Sequence, residues 1–127
     1  MPGERNLKIL VLEDEGTLRE SICEYLKEFT GGAVAGVASE SEALAALGED
    51  AEIDVIVVNL GKNRDGRFIF LGVIKANYPV VKRVLFTGFS REEMLGELRT
   101  AVCDAVVYKP RIEDLFHVVN LNVHRSG

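Results

Sequence analysis

Apolar residues along the chain follow two alternating patterns: short continuous runs, and positions spaced three or four residues apart. Short runs are typical of strands buried on both faces of a sheet, and the wider spacing is typical of amphipathic helices. The runs predict five strands, at residues 8–12, 33–37, 54–58, 84–86 and 105–108. A helical pattern follows each of them, so the chain is predicted to repeat a strand–helix unit five times.

Polar signals mark the ends of the predicted helices. Two capping boxes, Ser39-x-x-Glu42 and Ser90-x-x-Glu93, predict the starts of the second and fourth helices. Gly31-Gly32 ends the first helix, and a polar loop over 61–66 is predicted to precede the third. The helical patterns cover residues 18–29, 39–47, 67 to about 77, 90–101 and 112–123.

These patterns predict an α/β fold, a doubly wound (βα)5 sandwich around a five-stranded parallel sheet. Strands that are continuously apolar, rather than alternating, belong in a parallel sheet covered by helices on both faces. A length of 127 residues is enough for one such domain and leaves no room for a second core.

Composition narrows the class of protein. Hydrophobic residues make up 47% of the chain and charged residues 28%, which excludes a disordered or low-complexity segment. The net charge of −5 is opposite to that of a typical nucleic-acid module. Cys23 and Cys103 form no CxxC or Cys/His cluster, so reduced thiols are expected rather than zinc or a disulfide. With no secretory or membrane-spanning run, we expect a cytoplasmic protein.

Five polar side chains follow the predicted strands. Glu13 and Asp14 come after the first strand, Asn59 after the third, Thr87 after the fourth and Lys109 after the fifth. Ligands of doubly wound folds bind beyond the carboxyl ends of the strands. We therefore expect these two acids, the amide, the hydroxyl and the ammonium to converge on one pocket.

With these residues in place, the chain resembles the receiver domain of two-component response regulators. The matching segments are ILVLEDE, DVIVVN, LFTG and YKP, at residues 9–15, 54–59, 85–88 and 108–110. No single segment is specific, but the four occur in order and each ends a predicted strand. The resemblance implies a flavodoxin-like (CheY-like) three-layer sandwich with strand order 2-1-3-4-5, and one receiver domain over residues 7–124.

The resemblance also implies a role for each pocket residue. In that family an acid pair, matched here by Glu13 and Asp14, holds Mg²⁺ while a histidine kinase supplies a phosphoryl group. A hydroxyl and an ammonium, matched by Thr87 and Lys109, bind the phosphoryl oxygens. The family usually has a cis peptide bond where this chain has Lys109-Pro110.

Asn59 departs from the family at the position that accepts the phosphoryl group. The family has a phosphoryl-accepting Asp at this position, and a neutral carboxamide cannot act as a carboxylate nucleophile. Losing one of three negative charges also weakens Mg²⁺ binding, so we expect no required cofactor and at most weak Mg²⁺ binding. We favour a natural pseudo-receiver. A conventional Mg²⁺-dependent phospho-receiver whose acceptor Asp was changed to Asn is the alternative.

Further departures favour the pseudo-receiver. The loop with Lys62 and Arg64 lacks the family's Met-Pro pair, and it either brings cations near the acid pair or carries ordinary solvated charges. Val106 stands in place of the aromatic switch residue, and Tyr108 shares its strand face. Tyr108 is then a displaced signalling aromatic, a partner contact or, most simply, a packed side chain.

The predicted third helix is apolar around much of its circumference, unlike a solvent-facing helix with one polar side. Some residues of 67–75 are therefore expected to be exposed or covered by another chain. Self-association, as a homodimer, is one outcome of that pattern.

Together these features predict a signalling interaction module, not an enzyme, that is controlled by partner binding. The partner would be a histidine kinase or an output domain or protein, with no direct contact to nucleic acid or membrane. A small α/β enzyme or ligand-binding protein using the same pocket is the alternative from another class, but the chain has no phosphate-cradling glycine loop or nucleophile–base pair. The resemblance places the partner surface at Arg91, Glu92, Arg99, Tyr108 and Asp114.

Overall fold

The five predicted strands form one parallel sheet in the computed structural model, which describes residues 7–61, 64–88, 94, 102–108 and 119. The sheet order is β2-β1-β3-β4-β5, which confirms both the α/β class and the predicted order. The elements are β1 (Lys8–Leu12), α1 (Gly16–Thr30), β2 (Ala33–Val37), α2 (Glu40–Glu49), β3 (Val55–Leu60), α3 (Arg64–Asn77), β4 (Lys82–Thr87) and β5 (Ala105–Tyr108).

The central strands are longer, or placed further along the chain, than the apolar runs predicted. β3 begins at Val55 rather than at residue 54. Asp54 just before it accepts a hydrogen bond from the Lys8 backbone nitrogen through its carboxylate (2.9 Å). At its other end β3 continues through Asn59 and Leu60, which pair with β4. β4 likewise covers Lys82–Thr87 instead of 84–86. Asn59 and Thr87 are polar residues near the ends of β3 and β4, so they add nothing to the apolar pattern. The predicted strands therefore ended too early.

The predicted polar loop over 61–66 is also too long. α3 already begins at Arg64, so Gly66 lies inside the helix rather than in a turn. Charged and glycine residues in a helix's first turn read as loop in a sequence pattern, although an acid such as Asp65 is favourable there.

The caps of the first two helices follow their local sequence. The Glu15 carboxylate accepts hydrogen bonds from the Thr17 and Leu18 backbone nitrogens (3.2 and 2.8 Å) at the start of α1. At its end Gly31 adopts a left-handed conformation, with φ of 67°. The Ser39 hydroxyl accepts from the Glu42 nitrogen (3.2 Å), which confirms the first capping box.

Two hydrophobic clusters cover the two faces of the sheet. One face packs against α1 through Ile22, Cys23 and Leu26, and the other packs against α2 and α3. β3 is buried along its whole length, as expected for a central parallel strand. The edge strand β2 is partly exposed, so the burial on both faces that its apolar run predicted is wrong for this strand.

Several predicted features lie outside the described residues: the capping box at Ser90, the Lys109-Pro110 peptide bond and most of the last predicted helix. Met94 and Val119 are described from these regions. Both are helical and buried, Met94 in the cluster with α2 and α3, and Val119 in the cluster with α1.

Both cysteines are free thiols. Cys23 is buried, and burial raises its pKa above the ordinary value. Burial also raises the pKa of Cys103 to about 12, although the nearby Arg83 guanidinium opposes the shift. At neutral pH neither side chain is a thiolate, so both behave as small apolar residues.

The turn into β2 allows a sharp test of the fold. A Cβ at Gly32 would lie 2.4 Å from the Leu7 carbonyl oxygen, which is backbone and cannot move aside. Gly32→Ala is therefore expected to lower the free energy of unfolding by about 1–3 kcal/mol in urea denaturation.

Gly48→Ala, within α2, is the matched control. Among the described residues its Cβ would meet only the Tyr78 hydroxyl, at an ordinary contact distance of 3.7 Å. That variant should gain roughly 0.5–1 kcal/mol from helix propensity. Equal effects of the two substitutions would contradict the described approach of Leu7 to Gly32.

Candidate functional site

The carboxyl ends of the central strands carry three of the predicted pocket residues. Glu13 follows β1, Asn59 is the next-to-last residue of β3, and Thr87 is the last residue of β4. All three are buried, with 2%, 9% and 0% of their surfaces exposed. Asp14 is exposed beside them. Lys109, the fifth predicted pocket residue, lies outside the described residues.

Glu13 is a buried carboxylate whose two oxygens both accept hydrogen bonds from the protein. Oε1 accepts from the side-chain nitrogen of Asn59, and Oε2 accepts from the Glu15 backbone nitrogen at 2.7 Å. The Glu13 backbone is held as well, by the Val37 carbonyl oxygen (3.1 Å) and the Arg19 guanidinium (2.8 Å). These bonds offset the cost of burying a carboxylate, which is large when its oxygens lack partners.

The contact between Asn59 and Glu13 depends on the carboxamide. An amide nitrogen donates to a carboxylate, whereas an Asp side chain at this position would present a second negative charge. The sequence predicted that Asn59 and Glu13 would share one pocket, and the structure brings their side chains into direct contact.

A buried cation that the sequence analysis did not single out lies next to Asn59. Arg67 in α3 is only 8% exposed, and its Nε donates to the Asn59 carbonyl oxygen at 3.3 Å. Its guanidinium also forms an ion pair with Glu40 at the start of α2, at 2.7 Å. An Arg followed directly by a strongly apolar helical segment was the available signal, because such a residue often lies at a buried boundary.

Two further cations, Lys62 and Arg64 of the preceding loop, were predicted to lie near the acid pair. Lys62 and the side chain of Arg64 lie outside the described residues. Their predicted proximity to Glu13 and Asp14 stays a prediction.

Among the described residues, Glu13 and Asn59 as they are arranged do not present a set of oxygen ligands for Mg²⁺. Mg²⁺ needs several oxygen ligands in near-octahedral geometry. Both Glu13 oxygens already accept N–H groups, and Asn59 directs its nitrogen, not its oxygen, towards Glu13. Across the described parts of the chain, no three His, Cys, Asp or Glu residues come close enough together to hold a metal ion.

The residues predicted for switching and partner contact are described only in part. Val106 and Tyr108 are partly buried and both pack against the cluster that contains α2 and α3. The two residues therefore share a strand face, as their spacing indicated. Arg91, Glu92, Arg99 and Asp114 lie outside the described residues.

Comparisons with known proteins bear on the family. No family model matches the chain. It is 30% identical over 107 residues to a protein-glutamate methylesterase/protein-glutamine glutaminase of Anaeromyxobacter dehalogenans, covering 84% of this chain and 31% of that protein. It is 28% identical over 120 residues to the transcriptional regulatory protein PdtaR of Mycobacterium tuberculosis, covering 93% of this chain and 57% of PdtaR. The chain thus spans about a third and just over half of these curated relatives.

Solved structures match this chain over nearly their whole length. A response regulator receiver domain protein from Clostridium thermocellum is 26% identical, with a TM-score of 0.76 and coverage of 90% of this chain and 91% of that one. The chain is similar to response-regulator receiver domains in sequence and in fold. A CheY-like receiver domain from Methanospirillum hungatei shares the fold at 21% identity, with a TM-score of 0.77 and coverage of 94% of both chains.

The receiver-domain resemblance seen in the sequence is therefore confirmed, and so is the strand order that it implied. One matched structure, the response regulator TrrA of Thermotoga maritima, is described in complex with Mg²⁺-BeF; it is 24% identical, covers 89% of this chain and 96% of TrrA, and has a TM-score of 0.76. The equivalence of Asn59 to the phosphoryl-accepting Asp stays a prediction.

Asn59→Asp is expected to lower the free energy of unfolding by about 1–3 kcal/mol at neutral pH, because it places a second carboxylate against buried Glu13. The repulsion raises the folded-state pKa of the pair above the unfolded-state values. The loss is therefore present at neutral pH and disappears as the pH falls through the folded-state pKa. Urea unfolding over a pH series measures it.

The same chemical change at exposed Asn77, in Asn77→Asp, is the control. It removes the amide's hydrogen bond to the Val73 carbonyl oxygen (2.9 Å) and puts a carboxylate at the C-terminal end of α3, so it should cost only about 0.5–1 kcal/mol. Mg²⁺ should stabilise Asn59→Asp but not the unmodified domain, because only the variant gains an anionic ligand. An Asn59→Asp domain as stable as the original at neutral pH without Mg²⁺ would contradict the described contact.

Arg67 and Glu40 are expected to be energetically coupled, because their ion pair is largely shielded from water, with side chains 10% and 30% exposed. A double-mutant cycle with Arg67→Ala and Glu40→Ala should give a coupling energy of about 1 kcal/mol or more. The pair of Lys8 and Glu52, at 3.7 Å with side chains 37% and 64% exposed, is the surface control and should couple by less than about 0.5 kcal/mol. Additive effects at Arg67 and Glu40 would count against a shielded pair.

Proposed function

We propose that this receiver domain is a phosphorylation-independent interaction module of two-component signalling. The observation that carries the proposal is the hydrogen bond from the buried Asn59 amide to the Glu13 carboxylate. It puts a neutral, non-nucleophilic side chain at the carboxyl end of the middle strand, in the place that the family resemblance gives to the acceptor Asp.

Phosphoryl transfer to a receiver depends on a carboxylate nucleophile and on neutralisation of the charge that develops around phosphorus. A carboxamide lacks the anionic oxygen that would attack. Its nitrogen also occupies the Glu13 oxygen on which a divalent cation would rely. The donor set therefore supports weak Mg²⁺ binding at most, and the proposed function requires no cofactor.

The same contacts favour a single conformation of the site. The Asn59 side-chain amide donates to Glu13, and its backbone carbonyl oxygen accepts from Arg67. Arg67 in turn donates to the Glu40 carboxylate. The residue after β1 is thus joined to β3, α3 and α2 by side-chain hydrogen bonds that do not involve a phosphoryl group. Regulation is then left to the binding of another protein.

The proposed partner is a signalling protein, either a histidine kinase or an output domain or protein, in the cytoplasm. The partner surface predicted from the family, around Tyr108, is part of this proposal. The domain itself is not proposed as an enzyme: the methylesterase relative shares 31% of its length with this chain, and we attribute that match to a receiver segment. No helix among the described residues is both long and apolar enough to cross a membrane.

Incubation with acetyl phosphate and Mg²⁺, followed by intact-mass spectrometry, tests the proposal. We expect no phosphoryl mass increment on the unmodified domain, because no carboxylate lies at position 59. Denatured domain carried through the same incubation controls for non-specific acylation, and a phosphorylatable receiver domain controls for the reagents.

Asn59→Asp separates the two interpretations of the site. A natural pseudo-receiver should remain poorly labelled after this substitution, because its loop and switch positions also depart from the family. A conventional receiver with a changed acceptor should become labelled to a large fraction. Labelling of the unmodified domain at the pocket would overturn the proposal altogether.

A further inference from the structure

One edge of the sheet is open along β2. The hydrogen bond from the Ala33 nitrogen to the Leu7 carbonyl oxygen (2.9 Å) fixes which β2 residues face β1, and the bond that the Val37 carbonyl oxygen accepts at the other end (3.1 Å) follows the same alternation. In a parallel ladder every second residue points its backbone groups at a given neighbour. Val34 and Gly36 therefore point their N–H and C=O groups outwards, where no strand of the described residues pairs with them.

The sequence of this edge does not protect it from pairing. Natural sheets commonly blunt an exposed edge strand with a charged residue, a proline or a bulge. β2 reads Ala-Val-Ala-Gly-Val, without charge or proline, and it pairs with β1 residue by residue without a bulge. Ala33, Ala35 and Gly36 are exposed. The edge can therefore accept a further extended strand.

The open backbone groups match those of a second β2 strand. When two copies run antiparallel with Ala35 on the twofold axis, Val34 of each lies opposite Gly36 of the other, and these two residues exchange both of their N–H···O bonds. Every outward backbone group of Val34 and Gly36 is then paired in both copies. The opposed side chains also include a small residue in each pair, Ala35 with Ala35 and Val34 with Gly36, so no two bulky groups collide.

Charges on the flank of α1 beside this edge favour the same partner. A Cβ at Gly36 would lie against Arg19 Cγ (2.8 Å) and Cys23 Sγ (3.1 Å), so these two residues mark the side of α1 that covers β2. Further round the helix, beyond the edge, come Glu20 and Lys27, which are exposed and lie two turns apart on one flank. Neither forms an ion pair among the described residues.

A twofold axis at Ala35 brings these charges opposite each other. Gly36 lies against the turn of α1 that ends at Cys23. α1 connects two parallel strands and runs opposite to them, so one strand residue back from Gly36, about 3.3 Å, corresponds to about two residues further along α1. The axis therefore crosses α1 near Cys23, between Glu20 and Lys27. Glu20 of each copy then lies opposite Lys27 of the other.

We propose that the domain forms a twofold-symmetric homodimer in which β2 pairs antiparallel with β2 of a second copy. The two sheets join into one, and the Glu20–Lys27 pairs lie on its α1 side. The site at Glu13 and Asn59 is left uncovered, because it lies at the ends of β1 and β3 rather than along β2. This inference does not rest on the proposed signalling function.

The sequence pointed to self-association through a different surface, the apolar third helix. Ile69 and Val73 of α3 are exposed, at 68% and 39%, so the exposure predicted for part of that helix is confirmed. The β2 edge, however, is the surface whose hydrogen-bonding groups and flanking charges both fit a second copy. It is one short strand and one helix flank wide, so the dimer is expected to depend on concentration and to weaken with salt.

Sedimentation velocity over a concentration series tests the strand pairing. Ala35→Lys and Ala35→Glu should each weaken dimerisation by at least about tenfold, because each puts like charges on the axis, where the two Cα atoms are about 4.5 Å apart. A one-to-one mixture of the two variants should associate at least about tenfold more strongly than either alone, since opposite charges then meet. Ala45→Glu is the matched control and should leave association unchanged, because Ala45 is exposed on the side of α2 away from the sheet. Circular dichroism checks that each variant is folded.

Charge exchange on α1 tests the register of the pairing. Glu20→Lys and Lys27→Glu should each weaken the dimer several-fold at low salt, because each places like charges opposite each other. The double variant should return association to within about twofold of the original, since both pairs are re-formed with reversed sign. Glu28→Lys is the control: it changes the net charge as Glu20→Lys does, but on another exposed side of α1, and should have little effect.

Three results would overturn the inference. The domain could remain monomeric at every concentration, Ala35→Lys could associate as strongly as Ala45→Glu, or neither the mixture nor the double charge exchange could restore dimerisation. Pairing of this edge with a different protein would appear as a monomeric domain, which is the first of these results.

Discussion

The structure depends most on how a buried carboxylate is compensated at the carboxyl end of β1. Glu13 lies inside the domain with 2% of its surface exposed, where an unpaired charge would be strongly unfavourable. The amide of Asn59 and the backbone nitrogen of Glu15 supply the two hydrogen bonds that make this burial tolerable. In a receiver domain with three acids at this edge, a cation would have to do part of the same work. Here the protein does it with its own N–H groups.

That contact organises the elements around it. Because Oε2 of Glu13 holds the Glu15 backbone, it fixes the turn from which Glu15 caps α1. On the other side, the strand that presents the Asn59 amide also presents the carbonyl that receives Arg67, and Arg67 connects α3 to α2 through Glu40. The site and the helix packing on one face of the sheet are therefore parts of one network. A substitution at Asn59 should therefore affect both the site and the packing of α2 and α3.

Much of this arrangement could be predicted from the sequence, for identifiable reasons. Apolar runs predicted the central strands, and the topology of parallel sheets placed Glu13 and Asn59 at one edge without any knowledge of their contacts. Arg67 was missed because its role depends on tertiary neighbours, one of which, Glu40, is 27 positions away. The start of α3 was missed because charged and glycine residues in a first helical turn resemble a loop. Local patterns do not record which polar atoms are later buried together.

The direct test of this account is an NMR measurement on the side-chain amide of Asn59. In a two-dimensional ¹⁵N spectrum, its NH₂ resonances should be protected from exchange with water and should not move when Mg²⁺ is added, because the nitrogen is engaged by Glu13. NH₂ protons that exchange freely with water, or resonances that shift strongly on Mg²⁺ addition, would show that the Asn59 amide is not hydrogen-bonded to the Glu13 carboxylate. Either result would contradict the account.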